Sequence, residues 1–235
     1  MKYWLILCCI FFHAIAFAAN YPVKMGDTLI IVKVEKKGSG KMFVHLHQNE
    51  TTALHAARAM VAAKGGSILT LVHPGGRNII FRLQGQRYEF DPNRIYSDAG
   101  IKKTLRQFGP YTPAAHRTVQ KLATKIKQLL PKSGKIIAVH NNQCYSLKDY
   151  LPGHSLSAEA KKLHFHNKHQ YRNFYLVTRD HDFLRLRDLK FNSVLQARQA
   201  TDDGSLSVYL ANRQYVNVEA GFDQLKAQIK MLQYA

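Results

Sequence analysis

Apolar positions fall into short runs separated by glycine, proline and polar clusters, and a few longer stretches carry helical spacing between them. Leu29 to Val34 and Met42 to Leu46 read as strands, and the turn residues Lys36 to Gly40 between them predict a hairpin. From Thr51 to Lys64 the chain turns alanine-rich, with Leu54, Ala57, Val61 and Ala62 on one helical face and Gly65-Gly66 as the stop. A strand over Ser67 to Val72 ends in His73-Pro74-Gly75-Gly76, and an irregular segment is expected up to Ser97. Thr112-Pro113 opens a helix over Ala114 to Leu130, which Pro131 to Gly134 ends. A strand over Lys135 to Val139 follows, then a polar loop from His140 to Arg172. A strand (Asn173 to Thr178), a helix (Asp182 to Leu189) and a strand (Ser193 to Gln196) come next. Leu206 to Leu210 and Tyr215 to Val218 predict an antiparallel pair across Asn212-Arg213, and a helix over Phe222 to Leu232 closes the chain. Strands alternating with helices predict an α/β fold: a single-domain mixed sheet with helices on both faces. No internal repeat or domain-separating linker is visible.

Composition narrows the class. At 235 residues with 46% apolar, 11% aromatic and 21% charged positions, disordered, collagenous and coiled-coil chains are excluded. Thirty-four Lys and Arg against 15 Asp and Glu give a formal net charge of +19, which favours anionic partners. No nucleic-acid module signature is present, and the basic run Arg179, Arg185, Arg187, Lys190 reads as a solvated helix face. Lys2, the apolar run Tyr3 to Phe17 and the small-residue pattern Ala16-Phe17-Ala18 form a secretory leader over residues 1–18, leaving 19–235 as one domain. That run is too short for a spanning helix, so no stable membrane insertion is expected after cleavage, and the location is periplasmic or secreted. Cys8 and Cys9 lie in the leader. Cys144, alone in the remainder, makes no intramolecular disulfide.

The candidate chemistry centres on His47-Gln48-Asn49-Glu50-Thr51, where a strand ends and a helix begins. An imidazole and a carboxylate three apart on such a turn can both reach one Zn²⁺, and a catalytic zinc takes a third protein ligand while keeping a fourth position open. His140, at the end of another apolar strand, is the natural third, because ligand sites collect at strand ends on one edge of an α/β sheet.

His47 to Thr51, Asp91-Pro92-Asn93-Arg94, His140 at a strand end and Glu219 on a late strand follow one another as in the zinc carboxypeptidase (M14) superfamily. The chain resembles a small bacterial member, and its H-x-N-E-T form is similar to the succinylglutamate desuccinylase and aspartoacylase branch. The resemblance runs from about residue 29 to the C-terminus. It implies a zinc carboxypeptidase-like fold and one Zn²⁺ held by His47, Glu50 and His140. It further implies Glu219 as general base, Asn93 and Arg94 as a clamp for the substrate carboxylate, and Arg77 as an oxyanion stabiliser on its order along the chain. Asn49 stands where peptidase members commonly carry Arg, and an assisting tyrosine is matched only loosely, by Tyr209 or Tyr215.

The expected function is a zinc metallohydrolase cutting an amide next to a free carboxylate, a carboxypeptidase or amidase on peptidoglycan-type peptides. The expected substrate is an anionic peptide or an acyl-amino acid. Two alternatives stand beside it: an N-acyl-amino-acid deacylase, and a non-catalytic basic protein that binds anionic cell-wall polymer. Bland readings accompany the other histidines. His45 and His73 read as core or supporting residues, His55 and His116 as helix residues, and His164 to His169 as a solvated loop or an accessory metal site. Cys144 reads as a bystander.

Overall fold

The computed structural model describes residues 16–235. β1 (Ala16–Met25) and β2 (Thr28–Lys37) form a hairpin, and β3 (Met42–His45), α1 (Thr51–Lys64) and β4 (Gly66–Val72) follow. A small separate hairpin, β5 (Ile79–Leu83) with β6 (Gln86–Phe90), precedes α2 (Asp98–Phe108) and α3 (Pro113–Leu129). The second half runs β7 (Ile136–Asn142), β8 (Ala160–His164), β9 (Phe174–Val177), α4 (Asp180–Asp188), β10 (Ser193–Gln196), the single turn α5 (Leu206–Tyr209), β11 (Tyr215–Gly221) and α6 (Leu225–Tyr234).

Nine strands make one mixed sheet in the order β1-β2-β4-β3-β7-β11-β9-β10-β8. Its centre is parallel: β4, β3, β7 and β11 all run the same way. Side chains alternate across these strands. Phe43, Ile68, Ile137, Val139, Val216 and Val218 pack with α1, α4 and α6 on one face. Val44, Leu69, Ile136, Ala138 and Tyr215 pack with α2, α3 and the small hairpin on the other. The mixed α/β fold with helices on both faces is therefore as the sequence pattern implies. His140 and Glu219 continue the second set, so both point to the α2 and α3 side at the carboxyl end of the sheet.

Five local readings are corrected. β2 and β3 do not pair, because β4 lies between them. All of β3 is buried, as befits a central strand, and the Gly38 to Gly40 segment passes under the start of β4. A Cβ on Gly66 (φ +120°) would sit 2.4 Å from the Lys41 carbonyl oxygen, so glycine is required where the two segments cross. The irregular stretch after Gly76 contains the small hairpin, turned by Gln84 and Gly85 at positive φ (50° and 80°), with Ile79, Phe81, Tyr88 and Phe90 buried. Leu206 to Leu210 is a helical turn, not a strand: Ser205 accepts from the Val208 N–H, and Leu206 and Leu210 bury together at i,i+4 spacing. The loop from His140 to Arg172 holds β8 and the end of β7, which extends to Asn142. Finally, α1 buries Ala53, Ala56, Ala57, Met60 and Val61, and Ala62 faces solvent.

Residues 1–15 of the leader lie outside the described residues; Ala16 to Ala18 belong to β1, opposite Lys37 to Glu35. Among the described residues no helix is long and apolar enough to cross a membrane.

Candidate metal centre

The turn after β3 brings His47 and Glu50 together locally. Glu50 N–H donates to His47 O (3.0 Å), and Glu50 then stands at the N-cap of α1 without using its side chain as a cap. His45, the last residue of β3, fixes the turn through its Nε2 and the Glu50 carbonyl (3.0 Å). Burial pushes its imidazole down to about 4, which keeps it neutral there. It is a support, outside the cluster.

His140 arrives from β7, two residues inside the strand end. A chain of amide groups sets its height against α1. Ala53 N–H at the start of α1 donates to Asn141 Oδ1 (2.8 Å), Asn141 Nδ2 to Gln228 Oε1 (2.9 Å), and Gln228 Nε2 to the His140 carbonyl (2.9 Å). The residue beside a presumed ligand thus caps the helix that follows the turn holding the other two.

The three side chains converge, and each is almost wholly buried. His47 Nδ1 lies 3.0 Å from Glu50 Oε1 and 3.2 Å from His140 Nδ1, and His140 Nδ1 lies 2.9 Å from Glu50 Oε2. Among the described residues this is the one group of three His, Cys, Asp or Glu gathered closely enough to hold a metal ion. The donor set fits such an ion. Ligand bonds of about 2.0 to 2.2 Å at tetrahedral angles would separate neighbouring ligand atoms by about 3.3 to 3.5 Å, slightly more than is seen. The far nitrogen of His47 donates to Asp91 Oδ1 (2.7 Å), which turns Nδ1 towards the cluster, as a carboxylate behind a metal-bound imidazole does.

Electrostatics point the same way. Burial alone would lower the His47 pKa, but Glu50 and Asp91 outweigh it and raise the group to about 9. Burial likewise disfavours ionised Glu50, yet His47 and His140 hold its carboxyl well below the usual range. Arg77 adds a second cation, its guanidinium 2.5 Å from Glu50 Oε1 and 3.8 Å from Asp91 Oδ2. Positive charge from a proton and a guanidinium gathers where a metal ion would bring its own.

The cluster opens into a cavity of about 830 Å³, lined also by Arg77, Asn93, Arg94 and Glu219. Glu219 is the register partner of His140 on the adjacent parallel strand, so the two side chains emerge side by side. It accepts from Asn142 Nδ2 and Asn217 Nδ2, each at 3.0 Å. Asn93 Oδ1 accepts from the Leu206 N–H (3.1 Å), and Arg94 Nε lies 3.5 Å from Asp203 Oδ2. All seven sequence-predicted site residues therefore meet at one edge of the sheet.

Sequence reasoning passed over several residues here. Asp91 of the Asp91-Pro92-Asn93-Arg94 motif supports His47. Asn142 and Asn217, each two residues from a predicted site residue, carry a period-2 signal that places them on the same face. Tyr145 and Tyr150 line the cavity with their hydroxyls paired, and burial pushes both phenols up. Of the expected tyrosines, Tyr215 lines the cavity, whereas Tyr209 stacks on Tyr96 outside it. His73 is buried with neither ring nitrogen bonded and does not border the cavity. His164 and His166 stack on each other, with no third ligand near enough among the described residues to form a metal group. Cys144 is exposed at the cavity wall. No family model, curated protein or solved structure matches the chain.

Proposed function

We propose that this protein is a secreted or periplasmic zinc-dependent hydrolase cleaving an amide bond next to a free carboxylate, a carboxypeptidase or amidase on peptidoglycan-type peptides. One observation carries the reading: Glu219, a carboxylate bound only by neutral amides, lies register-paired beside a buried His47, Glu50 and His140 cluster in the same cavity. Two imidazoles and a carboxylate are a donor set that hydrolytic zinc takes. When bound, such a metal polarises the scissile carbonyl and lowers the pKa of water.

The chain's own groups supply the rest. Glu219 takes a proton from the attacking water and passes it to the leaving nitrogen, so that the C–N bond breaks as the C–O bond forms and an acid and an amine result. The two asparagines occupy one direction at each Glu219 oxygen and leave others for that proton. Asn93, its oxygen already engaged, offers its NH₂ to a substrate carboxylate, and Arg94 offers a planar fork beside it. Arg77 is half-exposed, is released from Glu50 once that carboxylate is neutralised, and supplies positive charge for the developing oxyanion.

The test joins metal analysis of the purified protein to hydrolysis of free-acid and amide-capped peptides. The reading expects about one zinc per chain, turnover of the free acid only, and a Glu219→Gln variant that keeps zinc but loses about 10² to 10⁴ in rate. A capped peptide cut as fast as its free acid would overturn the carboxylate rule, and a fully active Glu219→Gln would remove the base.

A further inference from the structure

The cavity is electrically unlike the molecule around it. Basic residues outnumber acidic ones 34 to 15 in the chain, yet five acids and three bases line the cavity. Of the bases, Arg77 is engaged by Glu50 and Asp91, and Arg94 faces Asp203. Of the acids outside the metal cluster, Glu159 accepts from the Thr201 N–H and hydroxyl, and Glu219 from its two asparagines. Asp91 is engaged by His47, Arg77 and the Asn93 backbone N–H, and Asp203 is the acid paired with the clamp's guanidinium.

Its placement is built in. The loop that carries it is tied to the Asn93-Arg94 turn by Tyr96 N–H to the Gly204 carbonyl (2.9 Å), Ser97 Oγ to Asp202 (2.7 Å) and Leu206 N–H to Asn93 Oδ1 (3.1 Å). Gly204 crosses Gly100 so closely that a Cβ on it would lie 2.5 Å from the Gly100 Cα and 2.6 Å from the Arg94 carbonyl oxygen. Asp203 Oδ1 accepts from the Ser205 N–H (2.9 Å), which leaves Oδ2 directed at Arg94. A fixed carboxylate at that distance opposes the binding of a second lone carboxylate by the same guanidinium. The conflict disappears when the incoming group brings its own cation.

We propose that this end of the cavity is a zwitterion site, in which Asn93 and Arg94 take a carboxylate and Asp203 takes an ammonium of the same substrate residue. The substrate is then an acyl or peptidyl derivative of a diamino acid with a free carboxylate and a free amine. This rests on the hydrolase reading for its chemistry and on the cavity alone for its recognition.

The test compares hydrolysis of Nα-acyl-lysine, Nα-acyl-norleucine and Nα-acyl-glutamate by the wild type and Asp203→Asn. Alongside it, calorimetry follows binding of Nα-acetyl-lysine and Nα-acetyl-norleucine with and without added Zn²⁺. Lysine should lead norleucine by about five- to tenfold, mainly in KM, as a partly exposed ion pair allows. Asp203→Asn keeps the acceptor for the Ser205 N–H, so its melting temperature should hold while the ratio falls towards one. An unchanged ratio in Asp203→Asn, or norleucine or glutamate handled as well as lysine, would overturn the site. If nothing is hydrolysed, the hydrolase reading falls, and calorimetry decides the site by itself. An Asp203-dependent preference for the lysine derivative sustains it, and equal binding removes it.

Discussion

Asp91 Oδ1 accepts both from His47 Nε2 and from the Asn93 backbone N–H, each at 2.7 Å, so one carboxylate orients an imidazole of the candidate metal cluster and shapes the Asn93-Arg94 turn. Burial disfavours its charge, but His47, Arg94 and Arg77 hold its carboxyl below the usual range, and it stays an acceptor. Asp91→Asn preserves the shape and can preserve one acceptor, yet it removes the negative charge that raises the basicity of the imidazole. Metal affinity should fall about 10- to 100-fold. Competition with a chelating dye measures it, and an affinity equal to wild type would show that packing alone orients His47. The Asp91 contact with His47 spans 44 positions, which is why the motif drew notice in the sequence and the role did not.

At the scale of elements, α1 begins where the cluster begins, and its first orphan donors need partners. Its cap comes from outside the helix, from Asn141 on β7, 88 positions along the chain. Asn141→Ala should therefore cost about 1 kcal/mol in denaturant unfolding, as other cap losses do. It should also weaken metal binding, because the same amide sets His140 against α1. Loss of stability with unchanged metal affinity would reduce Asn141 to a cap. Local pattern was enough for β4, α3 and β10, which are bounded by their own turn residues and, for α3, by the Thr112 cap, and enough to place α1 though not its cap. It was not enough for β2 and β3, since adjacency in sequence says nothing of the strand that enters between them. Leu206 to Leu210 satisfies both period 2 and i,i+4 spacing, and the Ser205 cap decides for the helix. The gathering of His47, Glu50 and His140 was legible because the β3-to-α1 turn carries the first two, His140 lies near the end of β7, and parallel β3 and β7 bring their carboxyl ends together. Asp203 was not, since its meaning comes from Arg94, 109 positions away, through a crossing of two glycines.

For the whole molecule, charge is distributed unequally between surface and cavity, and the proposed polymer and small-substrate contacts would fall on different parts. Asp98 is the one acid on α2 and α3, against exposed Lys102, Lys103, Arg106, Arg117 and Lys121. Lys103, Thr104, Gln107 and Phe108 of α2 also border the cavity, so the basic surface leads to its rim. A long anionic envelope polymer lying on α2 and α3 would present its peptide branches there, while a small zwitterionic substrate would feel little of that field. Screening separates the two: the Debye length shrinks from about 10 Å at 0.1 M to about 3 Å at 1 M salt. Retention on isolated cell-wall polymer should therefore be lost steeply across that range. Over the same range, kcat/KM for a small diamino-acid substrate should change by no more than about threefold. Replacing Lys102, Arg106 and Arg117 together by Glu should abolish retention at low salt and leave small-substrate turnover in place, since none of the three borders the cavity. Polymer binding that survives both high salt and the triple substitution would show that contact is made through the cavity itself, and that the basic face serves no docking role.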